Sequence, residues 1–185
     1  MGALTTRWGL TLTSDERTSW ELYASNVTMK NKLGEAIKLS GFNHYLRSNL
    51  IFASQGWPIV DAGPTIFELP EQDHSIIVQP EVHEQKTKLT FNDTMEWVDE
   101  DTAALIIFGG IPQNPQRTYF AGPYTGVKDK VGSVGAPKSS PEWFTNFHLL
   151  SAGQKVWYKF AIRRADGRMS EPWTANNIVV AGPIP

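Results

Sequence analysis

From Trp57 to the C-terminus, proline or glycine recurs every few residues, and short β-type runs fill the gaps. That punctuation constrains the fold more than any other feature. Proline lacks the ladder donor and clashes inside a helix, so no long helix can run through this stretch, whereas short strands can. The pattern predicts strands near 65–69, 75–79, 86–91, 103–109, 117–121, 144–149, 155–164 and 177–181. Lys155 to Arg163 alternates, with Val156, Tyr158, Phe160 and Ile162 on one face and Trp157, Lys159, Ala161 and Arg163 on the other. Ala103 to Phe108 is apolar on both faces and reads as a central strand. Many short strands without intervening helices predict an antiparallel β-sandwich. Residues 121–142 hold four of the 15 glycines and three of the 12 prolines, and read as one long loop.

The first 56 residues are written differently. Thr13 and Glu16 stand at capping-box spacing, and Trp20, Tyr23, Ala24 and Val27 then recur at helical spacing. Gly34, after Lys30 and Lys32, reads as the stop. A second helix is predicted from Ser40 to Gly56, before Trp57-Pro58, with Phe42, Tyr45, Leu46, Asn49, Leu50 and Ala53 on its apolar face and Asn43 and Arg47 outside it. The division expected is therefore an extended N-terminal arm over 1–12, a helical hairpin over 13–56 and a β-sandwich over 57–185, α+β overall and mainly β. Two helices bury too little surface to stand alone, so they must pack on the chain or on a neighbour.

Composition removes whole classes of function. The 185 residues contain no cysteine, which excludes disulfides, thiol catalysis, cysteine-ligated zinc and iron–sulfur clusters. The net charge is −2, and residues 1–55 carry +2, a mild asymmetry that predicts no nucleic-acid partner. A helix-turn-helix reading fails because the connection is too long and Arg47 is the second helix's only arginine or lysine. No run approaches the ~20 apolar residues of a membrane span. The N-terminus lacks an apolar stretch behind a basic start, so no Sec signal is expected there. Gly2 with Thr6 meets a loose myristoylation pattern by chance, and the sequons at Asn26 and Asn92 carry little weight without a secretion signal.

Catalytic patterns are equally thin. His44, His74, His83 and His148 never pair at metal-ligand spacing, so neither metal nor cofactor is expected. Glu96, Asp99, Glu100 and Asp101 cluster before the central strand and read as a solvated acidic turn; a hydrolase using Glu96 and Asp99 is the weakest reading considered. There is no Gly-x-Ser-x-Gly, no Walker loop and no dinucleotide fingerprint. Tryptophan is the one excess, at seven residues. Trp20 belongs to a core. Trp57, Trp143 and Trp173 each lie beside or near a proline at predicted loop edges, where exposed rings can anchor a protein interface or stack on sugars.

Two resemblances add to this reading. The run Leu150…Gly153…Val156-Trp-Tyr158-Lys-Phe160-Ala-Ile162…Asp166-Gly167…Ser170-Glu-Pro172 resembles the last two strands of a fibronectin type III or related immunoglobulin-like sandwich. It covers about thirty residues well. The family's tyrosine position is taken by Val156, with Tyr158 two places on, and the corner proline is Ala152. The string Trp20…Tyr23-Ala24…Asn31…Gly34…Leu39-Ser40-Gly41-Phe42-Asn43…Arg47-Ser48-Asn49 is similar to small phage and bacterial proteins that pair a helical start with a β-rich remainder. That resemblance implies a virion structural component and carries no functional residue with it.

The function expected is thus non-enzymatic assembly: a capsid decoration, neck or tail protein located in the virion, self-associating or seated on a capsid or tail lattice. Trp8, Trp57, Tyr124, Trp143 and Trp173 are the candidate interface residues. The alternative is a carbohydrate- or surface-binding module using Trp143, Trp173 and Tyr124.

Overall fold

The computed structural model describes residues 2–31 and 33–184. Among them the chain forms three α-helices, a π-helical turn and nine strands arranged in three sheets, a mixed α+β architecture that is mainly β. It divides into two compact units. The first comprises Met1–Glu71 with Ile162–Glu171, the second Gln72–Ala161 with Pro172–Pro185.

The helical unit opens with α1 (Gly2–Thr6) and the π turn Arg7–Thr11. This corrects the expectation of an extended arm. Leu4 and Leu12 are buried at 2% and 4% exposure in one cluster with Trp20, Tyr23 and Tyr45, so the segment folds by burying its own apolar side chains. Helix α2 (Ser14–Asn26) starts at the predicted capping box, with Glu16 N–H donating to Thr13 Oγ1 and Thr13 N–H to the Glu16 carboxylate. It stops at Asn26 rather than near Gly34. Asn31, Leu33 and Gly34 belong instead to the connection of a small hairpin, β1 (Met29–Lys30) with β2 (Ala36–Ile37), in which the Asn31 side chain accepts from Leu33 and Glu35 N–H. An Asn-initiated turn and a helix stop share the same residue types, which is why the sequence misleads here.

Helix α3 (Gly41–Gln55) matches its prediction at both ends: Ser40 caps it, and Gly56 closes it in the left-handed region at φ 73°. Its buried face is Gly41, His44, Tyr45, Ser48, Asn49 and Phe52, rotated from the predicted stripe. The rotation follows from the third layer of this unit. Residues 57–71, read as the start of the sandwich, pack on the helices: Asn49 clamps Val60 through its N–H and C=O, and Trp20 Nε1 donates to the Asp61 carbonyl at 2.8 Å. No strand forms over 65–69. The turn around Gly167 joins the same unit, where Ser48 Oγ donates to the Gly167 carbonyl and Arg47 donates to the Met169 and Ser170 carbonyls.

The second unit holds β3 (Ile77–Pro80), β4 (Lys86–Thr90), β5 (Ala104–Gly110), β6 (Tyr124–Val131), β7 (Glu142–Thr145), β8 (Lys155–Arg163, through Ala161) and β9 (Trp173–Ile178). A three-stranded sheet runs in the order β3-β4-β7, and a four-stranded sheet in the order β6-β5-β8-β9. Leu105, Ile106 and Ile107 of β5 are at most 1% exposed, as expected of a central strand. Two expectations are corrected. Residues 117–121 form no strand, and the supposed loop 121–142 contains the eight-residue β6. Two of its glycines, Gly126 and Gly132, are there for close approach. Gly126, at φ 78°, lies under the Phe147 ring, and a Cβ at Gly132 would overlap the Trp97 carbonyl oxygen.

The two sheets touch through Tyr158, whose hydroxyl meets the Thr87 hydroxyl at 2.7 Å and whose ring meets Phe144 edge-on at 5.6 Å. At one margin Val180 N–H donates to the Pro80 carbonyl and Val82 N–H to the Val180 carbonyl. At the other, Lys130 reaches from β6 to Glu142 of β7 at 2.6 Å, and Lys128 to Thr145 Oγ1.

Candidate functional site

The structure disperses the five aromatic candidates. Trp8 packs its ring on Phe42 and Tyr45, with centroids 5.4 and 5.3 Å away. It borders an open groove of about 470 Å³ with Ser14, Arg17, Thr18 and Glu21. The charged groups of that groove are engaged in the fold: Arg17 donates to the Trp8 and Leu12 carbonyls, and the Glu21 carboxylate accepts from Gly41 N–H at the start of α3. Trp57 is 38% exposed and lies edge-on to Phe52.

In the second unit, strand alternation decides the directions. Phe144 faces Tyr158 of the other sheet, so its neighbour Trp143 points outward from the three-stranded sheet and is 37% exposed. Trp173 stands opposite Phe160 on the inner side of β8, and its Nε1 is buried without a partner. Tyr124 lies on the outer side of the four-stranded sheet, where its ring and that of Phe108 flank the Lys159 ammonium at 5.1 and 4.5 Å. Trp143, Trp173 and Tyr124 therefore form no common platform.

One end of this unit does gather exposed apolar groups. The β5–β6 connection (111–123) and the β7–β8 connection (146–154) lie at the same end of the unit: Gln113 bridges antiparallel to Lys155 at the start of β8, and Thr125 Oγ1 at the start of β6 lies 2.8 Å from His148 Nε2. On these loops Ile111, Tyr119 and Leu149 are exposed at 42%, 71% and 87%. The loops are pinned from beneath. Phe120 stacks on Trp157 at 5.7 Å, Arg117 donates to Gln113 Oε1 and the Tyr119 carbonyl, and Gln85 exchanges hydrogen bonds with Leu150. Exposed apolar side chains on pre-ordered loops lose little entropy when a partner covers them. The sequence hid this group, because its members span 38 positions and reach one end only through sheet pairing.

Buried polar chemistry concentrates in the helical unit. His44, 3% exposed, packs edge-on to Tyr23 at 5.0 Å, and neither its Nε2 nor the Tyr23 hydroxyl has a hydrogen-bond partner. Burial lowers the His44 pKa from 6.5 to about 4, helped by the Arg47 charge, and burial raises Tyr23 to about 12. Arg47 is itself lowered to about 10 by burial and stays protonated at neutral pH. Nothing in the spacing of the four histidines marks His44 as buried; packing between the helices does that. Arg47, placed outside the apolar stripe in the sequence, is a half-buried clamp on two carbonyls.

The acidic run 96–101 surrounds a buried pair, Trp97 and Val98, and Asp101 accepts from Val134 N–H at 3.0 Å. Among the described residues no group of three or more His, Asp or Glu side chains is placed to hold a metal, and no helix is long and apolar enough to cross a membrane. No family model matches the sequence, and no curated protein matches it.

Proposed function

We propose that this chain is a non-enzymatic structural protein that assembles by protein–protein contact, as a capsid decoration, neck or tail component of a virion. The observation that carries the reading is the exposed group Ile111, Tyr119 and Leu149 on two braced loops at one end of the second unit. Tyrosine and large aliphatic residues on a rigid frame supply contact area at low entropic cost. The similarity of the Trp20 to Asn49 string to phage and bacterial proteins supports the virion setting.

We also read the second unit as a fibronectin type III or immunoglobulin-like sandwich. Seven strands split three and four, and facing side chains such as Tyr158 and Phe144 interdigitate between the sheets, which supports that reading. Tyr158 departs from the immunoglobulin corner tyrosine, whose hydroxyl turns back to nearby backbone, because here it crosses to Thr87. Such a sandwich is a carrier for loops and implies no activity by itself.

Light scattering of the full chain across a concentration series tests the assembly reading. Self-association that grows with concentration, and that a Tyr119→Ser/Leu149→Ser double variant abolishes, is the expected result. A strict monomer throughout the series would overturn self-association as the mode of assembly.

A further inference from the structure

The two ends of the second unit carry opposite chemistry. Strands β5 and β6 run between them, and the seven residues of β5 set them about 20 Å apart. At one end stand the exposed Ile111, Tyr119 and Leu149. Residues 102–128 and 143–165 contain no aspartate or glutamate, so the charges beside this apolar group are those of Arg117 and Lys155. Both cations are held by neutral acceptors: Arg117 by Gln113 Oε1 and the Tyr119 carbonyl, and Lys155 Nζ by the Arg117 carbonyl at 3.1 Å. Each keeps N–H donors to spare. The carboxylates of the neighbouring connection 81–85 are committed elsewhere. Glu84 pairs with Lys86, and Glu81 is buried and accepts from Ile184 N–H.

The opposite end is built by connections 91–103 and 132–141. They are tied together where Val134 N–H donates to the Asp101 carboxylate and Ser133 N–H to the Val98 carbonyl. Connection 91–103 contains five carboxylates and no lysine or arginine. Glu96 and Glu100 have partners of their own. Asp93, Asp99 and Asp101 are exposed and form no ion pair among the described residues. Lys138, the one cation of 132–141, is drawn to Glu142 at 3.7 Å. Next to Asp101 the Val134 side chain is exposed, which gives this end an apolar centre of its own.

We propose that copies of this chain associate head to tail, with the Ile111, Tyr119 and Leu149 end of one copy seated on the Val134 and Asp99 end of the next. The inference rests on the assembly reading and gives it a geometry. Charge selects the occupant. Two apolar ends placed face to face would bring both copies' Arg117 and Lys155 together, and like charges across an interface oppose binding. Placed on the acidic end, the same cations meet Asp99 and Asp101 while the apolar side chains cover Val134. Because the two surfaces are different patches, each contact leaves one end of each copy open, and association propagates or closes into a ring.

Light scattering of the full chain at low salt, with two variants that each disable one end, tests this. Tyr119→Ser/Leu149→Ser removes the apolar end. Asp99→Lys/Val134→Lys reverses the acidic end at two exposed positions. Each variant alone is expected to stay monomeric at concentrations where the parent grows. Mixed in equal amounts, they should form a species of twice the chain mass and nothing larger, since one supplies an intact acidic end and the other an intact apolar end. The parent's growth should weaken as salt rises. A parent that stays monomeric overturns this inference and self-association together. Three results overturn head-to-tail packing and leave the assembly reading standing: parent growth indifferent to salt, continued pairing of Asp99→Lys/Val134→Lys on its own, or a monomeric mixture of two variants whose circular dichroism matches the parent's.

Discussion

The Thr87 hydroxyl on β4 and the Tyr158 hydroxyl on β8, both buried, meet 2.7 Å apart and join the two sheets. Thr87 also lies 2.5 Å from Asn146 Oδ1, and Tyr158 is held well above the ordinary tyrosine range by burial. A polar contact in such surroundings costs most when only one partner is removed. Thr87→Val strands the Tyr158 hydroxyl and is expected to destabilise the second unit by about 1–3 kcal/mol. Tyr158→Phe leaves Thr87 its Asn146 partner and should cost only about 1 kcal/mol. Denaturant unfolding followed by tryptophan fluorescence measures both, and equal losses would contradict the asymmetry.

His44 makes the helical unit sensitive to acid. Its folded pKa is about 4, against 6.5 when unfolded. Between those values the unfolded chain holds the proton and the folded chain does not. Its effect on stability is therefore nil above about pH 7 and increasingly unfavourable as pH falls towards 4, reaching at most about 3 kcal/mol. His44→Gln should remove this slope. Thermal melts of both proteins between pH 7 and pH 4 show it as a difference in slope.

Leu4 and Leu12 are part of the helical core, so each Leu→Ala change should cost about 2–5 kcal/mol. Deleting residues 1–12 should therefore destabilise the helical unit rather than merely free a docking arm. Circular dichroism melts of the two point variants check this; melting temperatures equal to that of the parent would restore the arm reading.

Gly132 touches the Trp97 carbonyl so closely that Gly132→Ala must displace backbone, with an expected loss of about 3 kcal/mol or more. Gly135, three residues on, has open space around its Cα, and Gly135→Ala is expected to change stability by less than about 0.5 kcal/mol. Parallel unfolding curves of the two variants separate close packing from loop flexibility in this segment.

Arg47 holds the Met169 and Ser170 carbonyls with a desolvated guanidinium. Arg47→Met keeps the apolar stem and leaves both acceptors without that donor. Hydrogen exchange should then quicken around Arg164–Ser170, whose turn carries the Gly167 and Ser170 amide bonds, while the amides of β5 keep their protection.

Local chemistry was legible in the sequence wherever neighbours along the chain suffice to specify it. The Thr13–Glu16 box, the Ser40 cap with its Gly56 stop, the alternation of Lys155–Arg163 and the apolar β5 all depend on residues within a turn or a strand. Proline and glycine punctuation likewise announced short strands after Trp57. Only tertiary structure decided that Leu4 and Leu12 are core, that residues 57–71 and 162–171 belong with the helices, and that β6 forms within a glycine-rich stretch. It also decided that Trp143 lies opposite Lys88, and that Ile111, Tyr119 and Leu149 crown one end. Those outcomes rest on contacts between distant residues. Sheet register and burial set them together, and no local propensity encodes which strand will lie alongside which.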